Sequence, residues 1–590
     1  MSKRWRIQQH DTDRISSIVA TTDVSPVVAQ LLASRGITDP TQIRDFLDVK
    51  LTGLRDPTDL PGVPAATDCI FAAMQAEKRI VIYGDYDADG MTATAILYRC
   101  LKLLGANVDY YVPSRLDDGY GLNDDALEKI AGQDTAVVIT VDCGIASVKE
   151  AETAKRLGLQ LVITDHHQFA DQLPDATAIV HPRLPGHDYP FDGLCGAGVA
   201  LKLAWALCQR ASDAKRVTER MRNCLMTAVG IAAIGTVTDV VPLVDENRIL
   251  VRHGLNCLKN FPAAGIEALM KITSLDQKPQ LGSEDIGFTI GPRLNAAGRL
   301  GQAQLGVELL TTDSPDRAKA LAEYLHELNS SRDTLERSIQ KAANKQIKEQ
   351  FDPVHDPALV LAGHGWHAGV IGIVAGRLAE KYHRPVVVVA LDPMKIKPGT
   401  GSARSAAGLD LHRALGACSQ HLVTHGGHAA AAGLTIEESA LDAFRADFCE
   451  HVAEQVNPTE QVPEVIIDAE SQLSELTLQT MGQIEQLAPF GAANPRPVLC
   501  ASDVEIAGKP KRMGKGEVGR HLSVTFKQHG VQLRAVAFGQ GDWVEELDQL
   551  DGAIDIAYRP VINEFRGRRT VEMHLLDWRP AQLPASVGDE

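Results

Sequence analysis

Residues 80–95, Ile-Val-Ile-Tyr-Gly-Asp-Tyr-Asp-Ala-Asp-Gly-Met-Thr-Ala-Thr-Ala, constrain this chain more than any other stretch. An apolar run of strand length, residues 80–83, meets three aspartates at alternate positions: Asp85, Asp87 and Asp89. Beyond Gly90, the residues Met91, Ala95, Ile96, Tyr98, Leu101 and Leu104 recur at helical spacing. The order is strand, acidic loop, helix. In an open α/β sheet, ligands collect at the carboxyl ends of the strands. Three carboxylates packed into five residues repel one another, which raises the pKa of one or more unless a cation intervenes. Hard oxygen donors at this density suit Mg²⁺ or Mn²⁺. A solvated acidic turn has the same composition, so this stretch alone leaves both readings open.

The alternation of strand and helix continues to residue 245. Residues 108–112 predict a strand and 123–131 a helix. Residues 136–141 form a nearly continuous apolar run ending in Asp142, as in a central parallel strand buried on both faces. A helix at 147–157 precedes the strand 159–164, which ends in Asp165, His166 and His167. A later apolar run, 230–243, contains Asp239 near its end. If the strands are parallel, these residues meet on one sheet edge. They supply enough carboxylates and imidazoles for two divalent cations, which can activate water for in-line attack on phosphorus. Imidazole in the ligand set tilts the choice towards Mn²⁺, although Mg²⁺ could serve. Asp142 is the expected bridging carboxylate. Asp-His-His taken alone also reads as a helix cap followed by two surface histidines.

Bulk properties narrow the class. At 590 residues several domains are expected, and 44% hydrophobic content is enough for real cores. A formal net charge of −17 excludes binding to duplex nucleic acid through overall charge, so any such contact must use local basic patches. The ten cysteines include no Cys-x-x-Cys pair, which argues against a zinc ribbon. The first residues lack the apolar core of a signal peptide, and a soluble, reduced, cytoplasmic protein is expected.

Residues 83–90 (Tyr-Gly-Asp-Tyr-Asp-Ala-Asp-Gly), 141–145 (Val-Asp-Cys-Gly-Ile), 164–167 (Thr-Asp-His-His) and 238–240 (Thr-Asp-Val) resemble the successive motifs of the DHH phosphoesterase superfamily. With Gly-Asp-Tyr-Asp-Ala-Asp-Gly on a chain this long, the sequence is similar to the bacterial RecJ family of single-strand-specific exonucleases. The resemblance implies metal ligation by Asp87, Asp89, Asp142, His166 and Asp239. His167 would contact the scissile phosphate and Asp165 would orient the histidines. Asp85 is either a further ligand or the support of one. The superfamily's pyrophosphatases carry a histidine where Tyr83 stands, and tyrosine is a poor ligand, so the first metal's shell differs here.

Residues 281–301 contain Arg293 and Arg299 in what reads as a loop broken by Gly and Pro. A guanidinium fork matches phosphate oxygens, although surface salt bridging is the ordinary alternative. Similarity to the RecJ motif Gly-Pro-Arg-x-Asn-Ala-x-Gly-Arg implies the phosphate clamp. Residues 316–350 carry no Pro or Gly and predict a helix of roughly 35 residues, about 52 Å long. Its near-heptad seam, Leu321, Leu325, Leu328, Leu335, Ile339 and Ala342, favours packing within one chain, hence a monomer. In a second α/β region, residues 399–405 and 425–433 read as glycine-rich loops. By resemblance to the DHH-associated domain, Ser402, Arg404 and His428 would contact substrate, with Arg404 on the terminal 5′ phosphate. After residue 458 short strands suggest a β-barrel. Basic runs at 509–515 and 566–569 lie near Phe526, Phe538, Tyr558 and Phe565. Cationic loops and stacking rings fit an OB-type grip on single strands, with a solvated basic hairpin as the alternative.

The expected architecture is α/β, with two α/β lobes (DHH and DHH-associated) joined by a long helix, plus a C-terminal OB-like β-barrel. The expected divisions are a lead-in (1–75), DHH catalytic domain (76–310), connecting helix (311–352), DHH-associated domain (353–455) and OB-like domain (456–590). The resemblance implies 5′-to-3′ hydrolysis of single-stranded DNA to 5′-mononucleotides, two divalent cations (Mn²⁺ or Mg²⁺), and work beside single-strand-binding protein and a helicase, with no membrane. Two rivals remain at this level: a phosphodiesterase for short oligonucleotides, disfavoured by residues 460–580, and a ligand-less replication scaffold, disfavoured by the full set of Asp and His.

Overall fold

Five parallel strands carry the acidic loop. In the computed structural model, which describes residues 3–114, 121–212, 216–352, 355–405, 408–455, 463–514, 520–550 and 552–581, they lie in the order Val108–Tyr111, Arg79–Tyr83, Thr135–Val141, Gln160–Thr164, Ala178–Val180. This is the 2-1-3-4-5 order of a doubly wound sheet, and its direction of winding switches between Arg79–Tyr83 and Thr135–Val141. Residues alternate between two cores. Ile80, Ile82, Val137 and Ile139 face the helices Val63–Gln75, Ala88–Leu103 and Gly196–Ser212. Val81, Tyr83, Val138 and Ile163 face the helices Asp124–Ala131 and Val148–Arg156. Tyr83 is spent on that second core: its hydroxyl donates to Gly121 O and accepts from Asn123 Nδ2.

The apolar run at 230–243 is not strand-like. Its residues 230–238 are the second half of the helix Glu219–Thr238, which places Asp239 at the C-cap and leaves 240–243 beyond the helix. That helix is long and apolar enough to cross a membrane by composition, yet residues 228–236 are buried, and the helix packs on Ala88–Leu103, Gly196–Ser212 and Asp245–Asn260.

The chain divides into two compact units, Leu51–Gln461 and the pair Met1–Lys50 with Val462–Glu590. In the first unit, the 36-residue helix Pro315–Gln350 starts with Pro at its first position and the Ser314 hydroxyl as cap. Leu321 and Leu325 enter the core of the first lobe, and Ile339, Ala343 and Ile347 that of the second. Between these halves the expected seam fails. Leu335 is 37% exposed, while Asn329, Arg332 and Glu336 are buried. Arg332 bonds both Asn329 and Glu336, and Arg377 also reaches Glu336. A polar cluster that satisfies its own charges therefore occupies the gap in the heptad pattern.

The second lobe has a five-stranded sheet ordered Leu422–Gly427, Ala431–Ile436, Gly399–Arg404, Val386–Leu391, Leu359–His364. Residues 399–404, read as a loop from their small side chains, are an interior strand paired on both edges. The expected loop at 425–433 is the tip of a β-hairpin, with His428 in its turn.

In the other unit, the strands Leu499–Ile506, Ile554–Phe565, Arg568–Pro580, Val531–Ala537 and His521–Gln528 pair in sequence. Leu499–Ile506 then pairs with His521–Gln528 and closes a five-stranded barrel. Residues 1–50 belong to this unit: Arg4–Ile7 pairs in parallel with Glu464–Ile467, and the helix Pro26–Ser34 packs in the same core as the barrel. Phe526 and Tyr558 are fully buried in that core, so they are not available for stacking, whereas Phe538 and Phe565 are exposed. Lys515 of the first basic run lies outside the described residues, as do residues 115–120 after the strand Val108–Tyr111.

One buried ion pair lends itself to a stability test. Lys202 Nζ lies 2.6 Å from Glu246 Oε1, with both side chains almost wholly inaccessible. Lys202→Ala removes the nearest cation from the buried Glu246, leaving it the Arg55 guanidinium at 3.5 Å and the Tyr189 hydroxyl, and a loss of about 1–3 kcal/mol is expected in urea-induced unfolding. A loss below about 1 kcal/mol would contradict this assignment.

Candidate metal centre and substrate cleft

The carboxyl edge of the first sheet gathers side chains from several segments. Asp85, Asp87 and Asp89 follow Arg79–Tyr83, and Asp142 follows Thr135–Val141. Asp165, His166 and His167 follow Gln160–Thr164, and Asp239 ends the helix Glu219–Thr238. Three sets of donor atoms lie mutually within 4.8 Å: Asp85, Asp87 and Asp142; Asp89, His166 and Asp239; Asp142, His166 and His167. Asp142 and His166 are shared, so the sets form one continuous centre. Asp142 stands in the left-handed region at φ 61°, a conformation Asp tolerates better than most residues.

His166 decides what the centre can hold. Its Nε2 is buried with no hydrogen-bond partner, and it faces Asp142 Oδ1 at 3.1 Å, Asp239 Oδ2 at 3.6 Å and Asp89 Oδ2 at 3.9 Å. Burial lowers the His166 pKa to about 4, so the ring is neutral at pH 7, with Nε2 facing three carboxylates. Burial, and then the Asp89, Asp87, Asp85 and Asp239 charges, push Asp142 well above the carboxylate range. Burial followed by Asp89 and Asp87 lifts Asp239 to about 8, and burial also raises Asp89. A neutral imidazole among crowded carboxylates fits divalent cations that accept oxygen and nitrogen donors.

The surrounding backbone fixes the donors. Asp87 Oδ1 accepts from the N–H of Asp89 and Gly90, capping the helix Ala88–Leu103. Ala88 N–H donates to Asn295 Oδ1. Asp89 is gripped at Oδ2 by Gly196 N–H (2.6 Å) and at Oδ1 by Ala197 N–H (2.9 Å), at the start of the helix Gly196–Ser212. Only glycine fits beside it at 235, where a Cβ would stand 2.4 Å from Asp89 Oδ1. Sequence reasoning missed Gly196, Ala197, Gly235 and Asn295. The signal for the first two was Gly-Leu-Cys-Gly-Ala-Gly at 193–198, a glycine-rich entry to a helix whose N–H groups favour anions.

Asp165 lies behind the histidines. Its carboxylate accepts from the N–H groups of Ile145, His166 and His167 and pairs with His167 Nδ1 at 2.8 Å. Burial opposes charge on both groups, yet this pairing outweighs it, lowering Asp165 to about 2 and raising His167 to about 9.

Tyr86, from the acidic loop, opens onto a cleft of about 620 Å³ lined by Arg299, Ser402, Arg404 and His428 among small residues. Arg404 Nη1 donates to Ser402 Oγ at 2.9 Å. A Cβ at Gly372 would lie 3.0 Å from both Arg404 Nη2 and Ser402 Oγ, so the missing side chain leaves them room. Four of the five expected substrate contacts therefore share one cleft. Arg293 does not line it: its guanidinium donates to His326 Nδ1 and Thr289 O. Nor is 281–301 an irregular loop. Gly291 and Pro292 begin the helix Gly291–Arg299, directly after a π-helical turn, Ile286–Ile290.

Comparison with known proteins identifies the family. Residues 79–229 match the model of the DHH family, N-terminal domain, residues 355–454 the DHHA1 domain, and residues 467–577 the RecJ OB domain. The chain is 35% identical to the single-stranded-DNA-specific exonuclease RecJ of Bacillus subtilis (strain 168), over 97% of this chain and 70% of that protein. It is 34% identical to the Escherichia coli (strain K12) protein of the same name, over 97% and 99%. The crystal structure of RecJ in complex with Mn²⁺ from Thermus thermophilus superposes with a TM-score of 0.82 at 31% identity, covering 98% of this chain and 80% of that one. The Mg²⁺ complex from the same organism gives 0.77 at 30% identity, covering 98% and 79%.

The shifted groups set a pH test. Between pH 6.5 and about 8, Asp239 and His167 each hold protons in the folded chain that they release on unfolding. Stability of the metal-free protein therefore falls as pH rises through this window. The thermal midpoint should drop from pH 6.5 to 8, and saturating Mn²⁺, which replaces the Asp239 proton but not that of His167, should remove part of the drop. A metal-free midpoint that rises over this range would contradict the assignment.

Proposed function

The chain belongs to the RecJ family of single-stranded-DNA-specific exonucleases, and from that premise we propose that it removes 5′-mononucleotides stepwise from the 5′ end of single-stranded DNA during recombination and repair. The observation that carries this reading is the continuous centre of Asp85, Asp87, Asp89, Asp142, His166 and Asp239, together with a cleft that Tyr86 of the same acidic loop lines with Arg299, Ser402, Arg404 and His428. Mn²⁺ or Mg²⁺ is the cofactor. Asp87, Asp89, Asp142, His166 and Asp239 would hold two such ions, with Asp142 between them and Asp85 as a further donor. When bound, they supply Lewis-acid stabilisation at phosphorus and a nucleophile at neutral pH.

The chain's own groups do the positioning. The Arg404 guanidinium, set by Ser402, takes the terminal 5′ phosphate, with Arg299 and His428 beside it. His167, kept charged by Asp165, donates towards the scissile phosphate as negative charge develops there. Residues 76–310, 311–352 and 353–455 act together as catalytic domain, connecting helix and DHH-associated domain. We read this arrangement as admitting a single strand and excluding a duplex.

The barrel supports a separate grip on the strand. Oligonucleotides bind OB folds on the face of the second and third strands and on the loops after the first and fourth. In this barrel the third strand leads into Phe538, which is exposed and flanked by His521 and His574. The connection after the first strand carries Lys509, Lys511 and Arg512, and the hairpin between the fourth and fifth carries Arg566 in its turn, with Arg568 and Arg569 opening the fifth strand. We further place the enzyme in the cytoplasm as a monomer, with a helicase and single-strand-binding protein delivering its substrate.

Digestion of 5′-phosphorylated single-stranded DNA with Mn²⁺, labelled at either end, tests the proposal. Early release of 5′ label as mononucleotide is expected, and Asp142→Ala should abolish it. Early release of the 3′ label would discard the polarity. Arg404→Ala should raise KM for the 5′-phosphorylated strand by about 10- to 100-fold and erase its advantage over a 5′-hydroxyl strand. For the barrel, Phe538→Ala should weaken single-strand binding by about 1–3 kcal/mol in fluorescence anisotropy. Unchanged affinity would remove Phe538 from the interface.

A further inference from the structure

We infer that Asn247 is a positioning residue that sets the spacing of Asp89 and Asp239 and thereby the metal affinity of the centre. The inference rests on the reading of that centre given above.

Asn247 lies in the first turn of the helix Asp245–Asn260 and is completely buried. Its amide Nδ2 donates to two backbone carbonyls, Gly193 O at 2.5 Å and Pro242 O at 3.0 Å. Neither carbonyl belongs to a metal-ligating residue, but each sits three residues from a decisive one. Gly193 precedes Gly196, where the N–H groups that grip both oxygens of Asp89 begin. Pro242 follows Asp239. One side chain therefore ties the backbone that holds Asp89 to the backbone that carries Asp239, and both carboxylates face His166 Nε2.

The anchor is itself rigid. Glu246, the preceding residue, accepts from Lys202 Nζ at 2.6 Å, Tyr189 OH at 2.5 Å and Arg55 N–H at 2.9 Å. Residues 189 and 202 flank residues 193–197, so the helix start is fixed to the segment that Asn247 clamps. A buried amide with both N–H groups committed to carbonyls cannot be replaced by an apolar residue without leaving those carbonyls unsatisfied. Supports of this kind, one step behind metal ligands, typically tune metal affinity by about 10- to 100-fold.

The test compares the wild type with Asn247→Ala and Asn247→Asp. The aspartate keeps the shape but offers acceptors where the two carbonyls need donors. Leu269→Ala, a core truncation in the helix Ala264–Ile272, controls for general destabilisation. Free Mn²⁺ is followed by electron paramagnetic resonance during titration, beside thermal midpoints and exonuclease rates at rising Mn²⁺. The expected result is Mn²⁺ binding weakened about 10-fold or more in both Asn247 variants. Their activity should be restored by excess Mn²⁺, and Leu269→Ala should bind as the wild type does. If Asn247→Ala does not fold, Asn247→Ser, which keeps one donor, is read the same way. Wild-type Mn²⁺ affinity in the Asn247 variants, with only the thermal midpoint lowered, overturns the inference and leaves the metal centre standing. A wild-type protein that binds no Mn²⁺ overturns both.

Discussion

Carboxylates held close together out of water are the constraint on which the rest of this structure depends. Asp85, Asp87, Asp89, Asp142 and Asp239 are brought to one edge by a parallel sheet and one helix end, and the repulsion between them opposes folding until positive charge arrives. The chain meets part of that demand with its own dipoles. Helix starts turn N–H groups on Asp87 and Asp89, and a ring of three backbone donors surrounds Asp165. What backbone dipoles cannot neutralise, cations must. Stability and metal content are accordingly linked in this chain, as in other sites where ligands must lose protons before a metal can bind.

Much of the catalytic edge was legible from residues alone. The strands before Asp85, Asp142 and Asp165 announce themselves as apolar runs that end abruptly in ligand-type side chains. A strand buried on both faces can be apolar throughout, whereas its exposed end cannot. Asp239 was legible as a candidate ligand but not as a helix terminus, because an apolar run reads alike for a buried helix and a buried strand. Glycine misled in the second lobe. At 399–404 small residues indicate a strand whose neighbours approach closely, not a loop; a Cβ at Gly401 would lie 2.6 Å from a Leu434 methyl carbon. Aromatics in the barrel misled for the opposite reason. Phe526 and Tyr558 have the composition of stacking platforms, but alternation along their strands turns them inward, and only closure of the barrel reveals which face each occupies. The grip of Gly196 and Ala197 on Asp89 crosses more than a hundred residues and depends on backbone, so side-chain identities gave it only a faint trace.

The long helix shows how one element serves two lobes. Its apolar residues are divided between two cores, with the Asn329–Arg332–Glu336 cluster between them. A continuous apolar seam over this length would invite a second copy of the helix as partner. The polar interruption breaks that seam and marks where the half packed in one lobe gives way to the half packed in the other.

The pairing of Arg4–Ile7 with Glu464–Ile467 has a consequence for how the protein is made. The unit containing the barrel is discontinuous, with roughly 410 residues of the other unit inserted between its two parts. At about 5–20 residues per second, a ribosome needs on the order of 20–80 seconds to cross that insertion. Throughout that interval the apolar side chains of Val27, Val28, Leu31 and Leu32, destined for the barrel's core, have no barrel to enter. The catalytic unit can fold as it emerges, whereas residues 1–50 must wait for residues 462–590. The N-terminal helices are therefore the part of the nascent chain with most need of a chaperone, and any truncation that removes the barrel also deprives the first fifty residues of their fold.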